Sequence, residues 1–201
     1  MHTLTADTPD LAAYDVILVN SSGGKDSQAM LDVVCTLAQR AGVLDRVTVL
    51  HCALGHVEWP GTSELARTQA EHYGVRYEER HREQGLLLDQ VRRRGKWPSA
   101  SARYCTSDQK RGPARKIITQ LVAELGDLDR PAHVLNCMGL RAEESRARLR
   151  KSEQCCAGCI TGRRGLPEEL PPDRCGWRPS SITCARVDQC VVCEHSQAGV
   201  V

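Results

Sequence analysis

The chain has 201 residues, of which 41% are hydrophobic and 26% charged, and its formal net charge is +2. This length suits one α/β domain with at most a small appendage, and the apolar content excludes a wholly disordered chain. No apolar run reaches the ~18 residues of a membrane span, and the polar N-terminus lacks the residue order of a secretion signal. The sequence therefore predicts a cytoplasmic protein without a membrane partner.

Apolar runs alternate with segments of helical periodicity along most of the chain. The runs that predict strands cover residues 16–20, 47–52, 75–78 and 133–138. The segments that predict helices cover residues 29–38, 65–73, 86–94 and 117–125. This alternation indicates βαβ units, and hence a Rossmann-like, doubly wound α/β fold whose sheet is mostly parallel, with run 75–78 at an edge. We expect a flexible N-terminus (1–13), a nucleotide-binding α/β domain (14–150) and an irregular Cys-rich tail (151–201).

A glycine-rich loop stands between the first predicted strand and the first predicted helix. It reads Ser22-Gly23-Gly24-Lys25-Asp26-Ser27. Glycines let backbone N–H groups approach an anion, and the positive end of the following helix points at the same place. Lys25 adds a full charge, and the two serine hydroxyls can donate to phosphate oxygens. An ordinary strand-to-helix turn with a serine or aspartate cap is the alternative interpretation.

The loop is not a Walker loop. That pattern requires a glycine where Val19 stands, and a serine or threonine where Asp26 stands. The phosphate-binding interpretation therefore depends on the loop's own residues and on its place between strand and helix.

Four motifs, taken in chain order, resemble those of one protein family. Besides residues 22–27 they are 51–62 (HCALGHVEWPGT), 104–113 (YCTSDQKRGP) and 138–146 (MGLRAEESR). Together they resemble the phosphoadenylyl-sulfate (PAPS) reductase family of the adenine-nucleotide α-hydrolase superfamily, whose pyrophosphate loop (PP-loop) reads like residues 22–27. The resemblance implies an enzyme that binds ATP or PAPS as its adenine nucleotide, with Mg²⁺ if the nucleotide is ATP.

The resemblance leaves two reactions open. In one, a thiol attacks the sulfur of PAPS and sulfite leaves, and a thioredoxin-like protein supplies the electrons. In the other, a nucleophile attacks the α-phosphate of ATP and pyrophosphate leaves. The chain departs from the family in having Ala53 where many members have an acidic residue, and in lacking the Glu-Cys-Gly-(Ile/Leu)-His ending of the thiol-dependent reductases. No catalytic residue is assigned, and a truncated, non-catalytic nucleotide- or nucleic-acid-binding protein is the competing function.

The motifs also supply cations for the phosphates of the nucleotide. Lys110 and Arg111, followed by Arg115 and Lys116, would project toward these phosphates from the start of one helix, unless they form a solvated basic face. Arg141 follows a glycine at a predicted strand end, from which its guanidinium would grip phosphate or sulfate. An ion pair with a neighbouring glutamate is the other role for this arginine.

Two more residues of these motifs have open roles. Asp26 would either hold Mg²⁺ or cap the first helix. His51 ends the second predicted strand, and we expect its backbone to matter more than its ring.

The region between residues 76 and 116 is strongly basic. It contains twelve lysines and arginines against five aspartates and glutamates. Such a surplus suits a phosphate-bearing ligand or a nucleic acid, although a solvated helical face has the same composition. No motif supports a nucleic-acid partner.

Cysteines crowd the tail of the chain. Seven of the eleven fall in its last 47 residues, and the absence of a secretion signal argues against a disulfide framework. The candidate ligands for Zn²⁺ or an Fe–S cluster are Cys105, Cys156, Cys159, Cys190 and Cys193. A disordered tail and a shifted reading frame are the two alternatives to a metal-binding tail, and we expect little bound metal because the tail has few aliphatic residues.

Overall fold

The computed structural model describes residues 9–99, 101–139 and 158–160, the last of these by backbone alone. The strands are β1 (Val16–Ser21), β2 (Val47–Cys52), β3 (Arg76–Arg80), β4 (Ala132–Met138) and the short β5 (Gly158–Ile160). The helices are α1 (Lys25–Arg40), α2 (Thr62–His72), α3 (Leu87–Arg94), the single turn α4 (Tyr104–Thr106) and α5 (Gly112–Glu124). None of the helices in these residues is long and apolar enough to cross a bilayer.

The strands form one sheet in the order β3-β2-β1-β4-β5. Strands β1 to β4 are all parallel, and β5 pairs with β4 in the antiparallel direction. The register places Ile17 beside both Val47 on β2 and Leu135 on β4. The Rossmann-like α/β fold predicted from the sequence is therefore confirmed, including the edge position of β3.

Two apolar cores cover the two faces of the sheet. Because successive side chains of a strand point to opposite faces, Ile17 and Val19 pack against α1 and α2, and Val16 and Leu18 pack against α5. Helix α1 contributes its buried stripe to the first face through the residues Met30, Leu31, Val34, Cys35 and Ala38. Helices thus lie on both faces, as in other doubly wound sheets.

The order of the strands reverses beside β1. The chain moves outward from β1 through β2 to β3, and it then returns past the sheet to place β4 on the other side of β1. Ligands of open parallel sheets bind at such a switch point, outside the carboxyl ends of the strands. In this protein the switch point lies between the carboxyl ends of β1 and β4.

The structure changes some of the predicted boundaries. Helix α1 begins at Lys25, four residues before the apolar periodicity starts, and α5 begins at Gly112, five residues before it. Helix α1 starts on the polar residues 25–28, which carry no apolar period, and α5 starts on Gly112 and Pro113. Periodicity therefore could not detect either first turn, although Pro113 and Ala114 are buried. The N-terminal segment is described from residue 9, where Leu11–Ala13 form a 3₁₀ turn with Leu11 buried.

Candidate functional site

The loop between β1 and α1 is folded by its own serines. Ser21 Oγ accepts a hydrogen bond from the Gly23 N–H at 3.1 Å, and Ser27 Oγ accepts one from the Ser22 N–H at 3.2 Å. The Ser27 hydroxyl in turn donates to the Gly24 carbonyl at 2.8 Å. These short-range bonds fix the path of the loop before any ligand is bound.

The loop presents its polar groups at the positive end of a long helix. Gly24 occupies the N-cap position of the 16-residue helix α1 and provides no side-chain cap. Ser22, Gly24 and Lys25 are exposed, and the Asp26 side chain in the first turn is half-buried. An uncapped helix N-terminus with an adjacent lysine attracts an anion through both backbone N–H groups and charge.

Two neighbouring elements hold the loop closely. Gly23 has φ +71°, and a Cβ there would lie 3.0 Å from the Thr62 carbonyl oxygen at the start of α2. Gln69 of the same helix donates to the Gly23 carbonyl at 3.4 Å. A Cβ on Gly139, just past β4, would lie 3.0 Å from the Asp26 carbonyl oxygen. The glycines at both positions therefore allow the loop, α2 and the end of β4 to meet at the switch point.

The ring of His51 lies beneath this loop. It is buried at the end of β2, and its Nδ1 lies 3.1 Å from the Ser21 carbonyl oxygen. Because a carbonyl oxygen only accepts, Nδ1 carries the proton. Nε2 lies 3.5 Å from Glu58 Oε2, an oxygen that also accepts the Leu54 N–H at 3.1 Å. The ring of His51 thus contacts the strand end from which the loop begins, and the expectation that its backbone matters more than its ring stays a prediction.

The predicted cations Lys110 and Arg111 lie in a π-helical turn, Ser107–Arg111, that runs directly into α5. The Lys110 carbonyl is 3.7 Å from Sγ of Cys52, which places this turn beside the carboxyl end of β2. The Lys110 side chain is exposed, whereas Lys116 forms an ion pair with Glu83. Lys116 therefore has a surface partner of its own, unlike in the prediction that it faces the nucleotide.

A buried amide pair fixes the π-helical turn to α3. Gln109 is fully buried and donates to Gln90 Oε1 at 2.8 Å. Gln90 in turn donates to Asp108 Oδ2 at 2.6 Å, and Ser107 donates to the other carboxylate oxygen of Asp108 at 2.5 Å. Hydrogen bonding by Ser107 and then by Gln90 lowers the pKa of Asp108, so its carboxylate stays charged at neutral pH. Both polar groups of Gln90 and the Gln109 amide N–H have partners in this arrangement, whereas Gln109 Oε1 is buried without one among the described residues. The bonds that are made fix where Lys110 and Arg111 stand.

The sequence analysis missed two asparagines beside the switch point. Asn20 of β1 donates to Asn136 Oδ1 at 2.6 Å and to the Cys137 carbonyl at 2.8 Å. Asn136 is buried, and its Nδ2 has no hydrogen-bond partner among the residues that the structure describes. A polar residue inside each of two apolar runs is the signal that would have identified them, because buried amides need partners.

Most of the proposed metal ligands lie outside the described residues. Cys105 is half-buried in α4, and Cys159 is described only by its backbone in β5. The other three candidates, Cys156, Cys190 and Cys193, fall outside the described ranges, as does Arg141. Within residues 9–99 and 101–139, no three His, Cys, Asp or Glu side chains come together as a metal site.

The other described cysteines are poor nucleophiles. Cys35 and Cys137 are buried in the apolar core. Burial raises the pKa of Cys35 to about 12 and that of Cys52 to about 11. A thiol with such a pKa is protonated at neutral pH, and the thiolate is the reactive form.

No protein-family model and no curated protein sequence matches this chain. Among solved structures, it is similar to the U34-tRNA thiolase NcsA from Methanococcus maripaludis with its [4Fe-4S] cluster, at 19% identity and a TM-score of 0.47. It is also similar to the NH3-dependent NAD synthetase from Campylobacter jejuni in complex with the nitrate ion, at 18% identity and a TM-score of 0.38. The alignments cover 69% and 65% of this chain, but only 43% and 49% of those proteins.

Proposed function

We propose that this protein is an enzyme of the adenine-nucleotide α-hydrolase superfamily that binds an adenine nucleotide at residues 22–27. The observation that carries the proposal is the serine-folded loop at the uncapped N-terminus of α1, placed at the switch point of a parallel sheet. An ordinary turn would need neither the positive φ of Gly23 nor an exposed lysine after two glycines.

We favour ATP over PAPS as the substrate because three of the four cysteines with described side chains, all except the half-buried Cys105, are poor nucleophiles. Reduction of PAPS needs a thiolate to attack sulfur, but Cys35 and Cys137 are in the core and Cys52 has a raised pKa. Attack on the α-phosphate of ATP needs no cysteine, because positioning and charge neutralisation carry most of such a reaction. We therefore propose transfer of the nucleotide α-phosphate with release of pyrophosphate.

The residues in and around the loop would each have a different role in binding the nucleotide. Backbone N–H groups at the start of α1 and the Lys25 ammonium would hold the leaving pyrophosphate and offset its growing charge. Lys110 and Arg111 stand beside the end of β2, where they would contact the same phosphates. The Asp26 carboxylate, half-buried next to the loop, fits the oxygen ligation that Mg²⁺ requires. Bound there, Mg²⁺ would neutralise charge on the phosphates.

Calorimetric titration of the full chain with ATP and with PAPS tests the proposal. Lys25→Ala should weaken ATP binding about tenfold, which is roughly 1.4 kcal/mol. Lys116→Ala is the matched control, because that lysine is exposed and already paired with Glu83. It should change the affinity less than about twofold, since a surface ion pair contributes little.

The outcomes separate the candidate functions. Pyrophosphate release from ATP supports the proposed reaction, and sulfite release from PAPS with a thioredoxin-like reductant would replace it with the reductase. Tight nucleotide binding without either product would indicate a non-catalytic binding protein. An equal affinity of wild type and Lys25→Ala would contradict the assigned site.

A further inference from the structure

A basic segment with one exposed tryptophan begins in the last turn of α3 and continues past its end. Residues 92–103 contain five basic side chains and no acidic one. The five are Arg92, Arg93, Arg94, Lys96 and Arg103, and the tryptophan is Trp97. We call residues 92–103 the basic segment. The proposed nucleotide site uses none of these residues.

A helix-ending glycine and contacts with the buried Tyr104 hold the first part of the basic segment in place. Gly95 ends α3 with φ +64°, and the buried Tyr104 donates its hydroxyl hydrogen to the Lys96 carbonyl. The Arg94 guanidinium stacks on the same ring, 4.5 Å from its centroid. The backbone immediately before Trp97 is therefore anchored to the fold.

Trp97 nevertheless projects into solvent, with 62% of its surface exposed. Leaving a large aromatic ring in water forgoes the stabilisation that burial would give. Because the backbone immediately before it is anchored, this exposure is a fixed feature of the surface. An exposed ring of this kind is suited to stacking against a flat partner.

The charges around Trp97 are only partly balanced. Asp89 Oδ1 lies 3.4 Å from Arg92 Nη1, and Asp108 Oδ2 lies 3.8 Å from Arg94 Nη2. Asp108 also accepts hydrogen bonds from Gln90 and Ser107, and the segment itself contains no acidic residue. The basic segment thus has a net positive charge that a polyanion would complement.

We propose that the basic segment binds single-stranded nucleic acid, with Trp97 stacking on an unpaired base and the surrounding cations contacting the phosphates. Stacking requires a base face that a duplex hides, and a positively charged groove beside an aromatic ring is how single strands are held without sequence preference. An acidic peptide would satisfy the charges but would give the exposed ring no planar partner.

The basic segment is close to the nucleotide site. Leu86, immediately before α3, lies against Gly55 in the loop that follows β2. The Gln90–Gln109 pair joins α3 to the turn that carries Lys110. A strand bound along the end of α3 would therefore lie beside the carboxyl edge of the sheet.

Fluorescence anisotropy with labelled oligonucleotides of about 12 residues tests this proposal on the full chain. Oligo(dT) and oligo(U) serve as probes, and their ratio tells whether DNA or RNA is the natural source of the strand. Trp97→Ala should weaken binding about tenfold. Arg92→Glu should weaken it several-fold and lower the slope of log affinity against log salt by about 1.

Matched control variants show whether a loss of affinity is specific to the basic segment or follows from removing any exposed tryptophan or any exposed positive charge. Trp59 is even more exposed, at 87%, but residues 52–66 around it contain no lysine or arginine, so Trp59→Ala should leave oligonucleotide affinity unchanged. Arg40→Glu reverses an exposed charge in the last turn of α1, at the opposite end of the sheet, and it should change the affinity less than twofold. Thermal melts confirm that each variant is folded.

Several results would overturn the proposal. They are no measurable binding of either oligonucleotide, equal losses in Trp97→Ala and Trp59→Ala, equal affinity for a duplex of the same length, or full competition by poly-glutamate. The last would mean an acidic protein partner instead. Because oligonucleotide binding is measured without ATP and compared between Trp97→Ala and Trp59→Ala, failure of the nucleotide site would not be confused with failure of the basic segment.

Discussion

The two ends of the sheet differ in the kind of contact they contain. At the carboxyl end, the chain leaves β1 through the loop of glycines and serines at residues 22–27. At the amino end, an ion pair between Asp15 and Arg130 joins the segments that precede β1 and β4. The loop uses its own serines to hold its shape and leaves the N-terminus of α1 uncapped. The amino end has the opposite character. Asp15 accepts two hydrogen bonds from Arg130, at 2.6 and 2.8 Å, and a third from the His133 N–H at 2.8 Å.

We expect this difference to separate residues that affect the proposed ligand binding from residues that affect stability. The hydrogen bonds at the amino end join distant parts of the chain, and they form without any bound ligand. Their loss should therefore lower the stability of the fold. The hydrogen bonds at the carboxyl end join residues that are close in the sequence, and they surround backbone and side-chain groups that suit an anion. Their loss should cost affinity, and variants at the two ends should therefore affect different measurements.

The largest effect is expected for Gly23→Val. A residue with a side chain pays about 1–2 kcal/mol to adopt the φ of +71° found at Gly23. The Cβ of the new valine would also lie 3.0 Å from the Thr62 carbonyl oxygen. We expect the loop to shift and ATP affinity, measured by calorimetry, to fall at least about 30-fold, or roughly 2 kcal/mol.

Gly42→Val is the matched control for this variant. Gly42 has a similar φ of +69°, but a Cβ there would have no atom within 4 Å, and it lies just past the end of α1. It should lower stability by about 1–2 kcal/mol while leaving ATP affinity unchanged. Equal affinity losses in both variants would show that strain anywhere in the domain weakens binding, and would contradict the division between the two ends.

A smaller loss of affinity is expected at His51. His51→Leu removes the donor to the Ser21 carbonyl, whereas His51→Asn can keep a side-chain N–H near the position of Nδ1. We expect ATP to bind about fivefold more weakly to the leucine variant, by roughly 1 kcal/mol, with recovery in the asparagine variant. A loss of the same size in both variants would mean that the ring only fills space.

At the amino end, Asp15→Asn should reduce stability without affecting ATP binding. The Arg130 hydrogen bonds lower the pKa of Asp15 to about 2. The carboxylate therefore stabilises the fold above its unfolded pKa of about 3.9, and this contribution disappears as pH falls from about 4 toward 2. Urea unfolding at pH 7 should show a loss of about 1–2 kcal/mol relative to wild type, and the two proteins should converge near pH 2. Asp45→Asn, at an exposed aspartate, should leave stability unchanged.

Features of the carboxyl end could be predicted because they are local in sequence. The run 16–20, the glycines that follow it and the periodicity of α1 occupy one continuous stretch, so pattern and turn chemistry were sufficient. The polar run at β3 likewise predicted an edge strand. The family resemblance then indicated which ligand such a loop would hold.

Features that depend on distant pairs could not be predicted from the pattern. Asn20 meets Asn136, and Asp15 meets Arg130, each across more than 100 residues. The π-helical turn and the burial of Gln109 have no periodic signal, because buried amides are placed by partners rather than by spacing. The contact of the His51 ring could not be predicted for the same reason, since its acceptor lies on the neighbouring strand.

The smallest effect is expected at Arg46, also at the amino end. Its guanidinium donates to the Tyr14 carbonyl at 2.8 Å and to the Ala12 carbonyl at 3.3 Å, and so ties the segment before β1 to the turn before β2. Arg46→Met keeps most of the aliphatic stem and removes both donors. Because the Ala12 bond is exposed and the Tyr14 bond only partly buried, water replaces much of what is lost, and we expect stability to fall by less than about 1 kcal/mol. Hydrogen exchange should quicken around the 3₁₀ turn Leu11–Ala13 and stay unchanged in the loop at residues 22–27. Faster exchange in that loop would mean that the two ends are coupled through β1, and the separation of stability from binding would not hold.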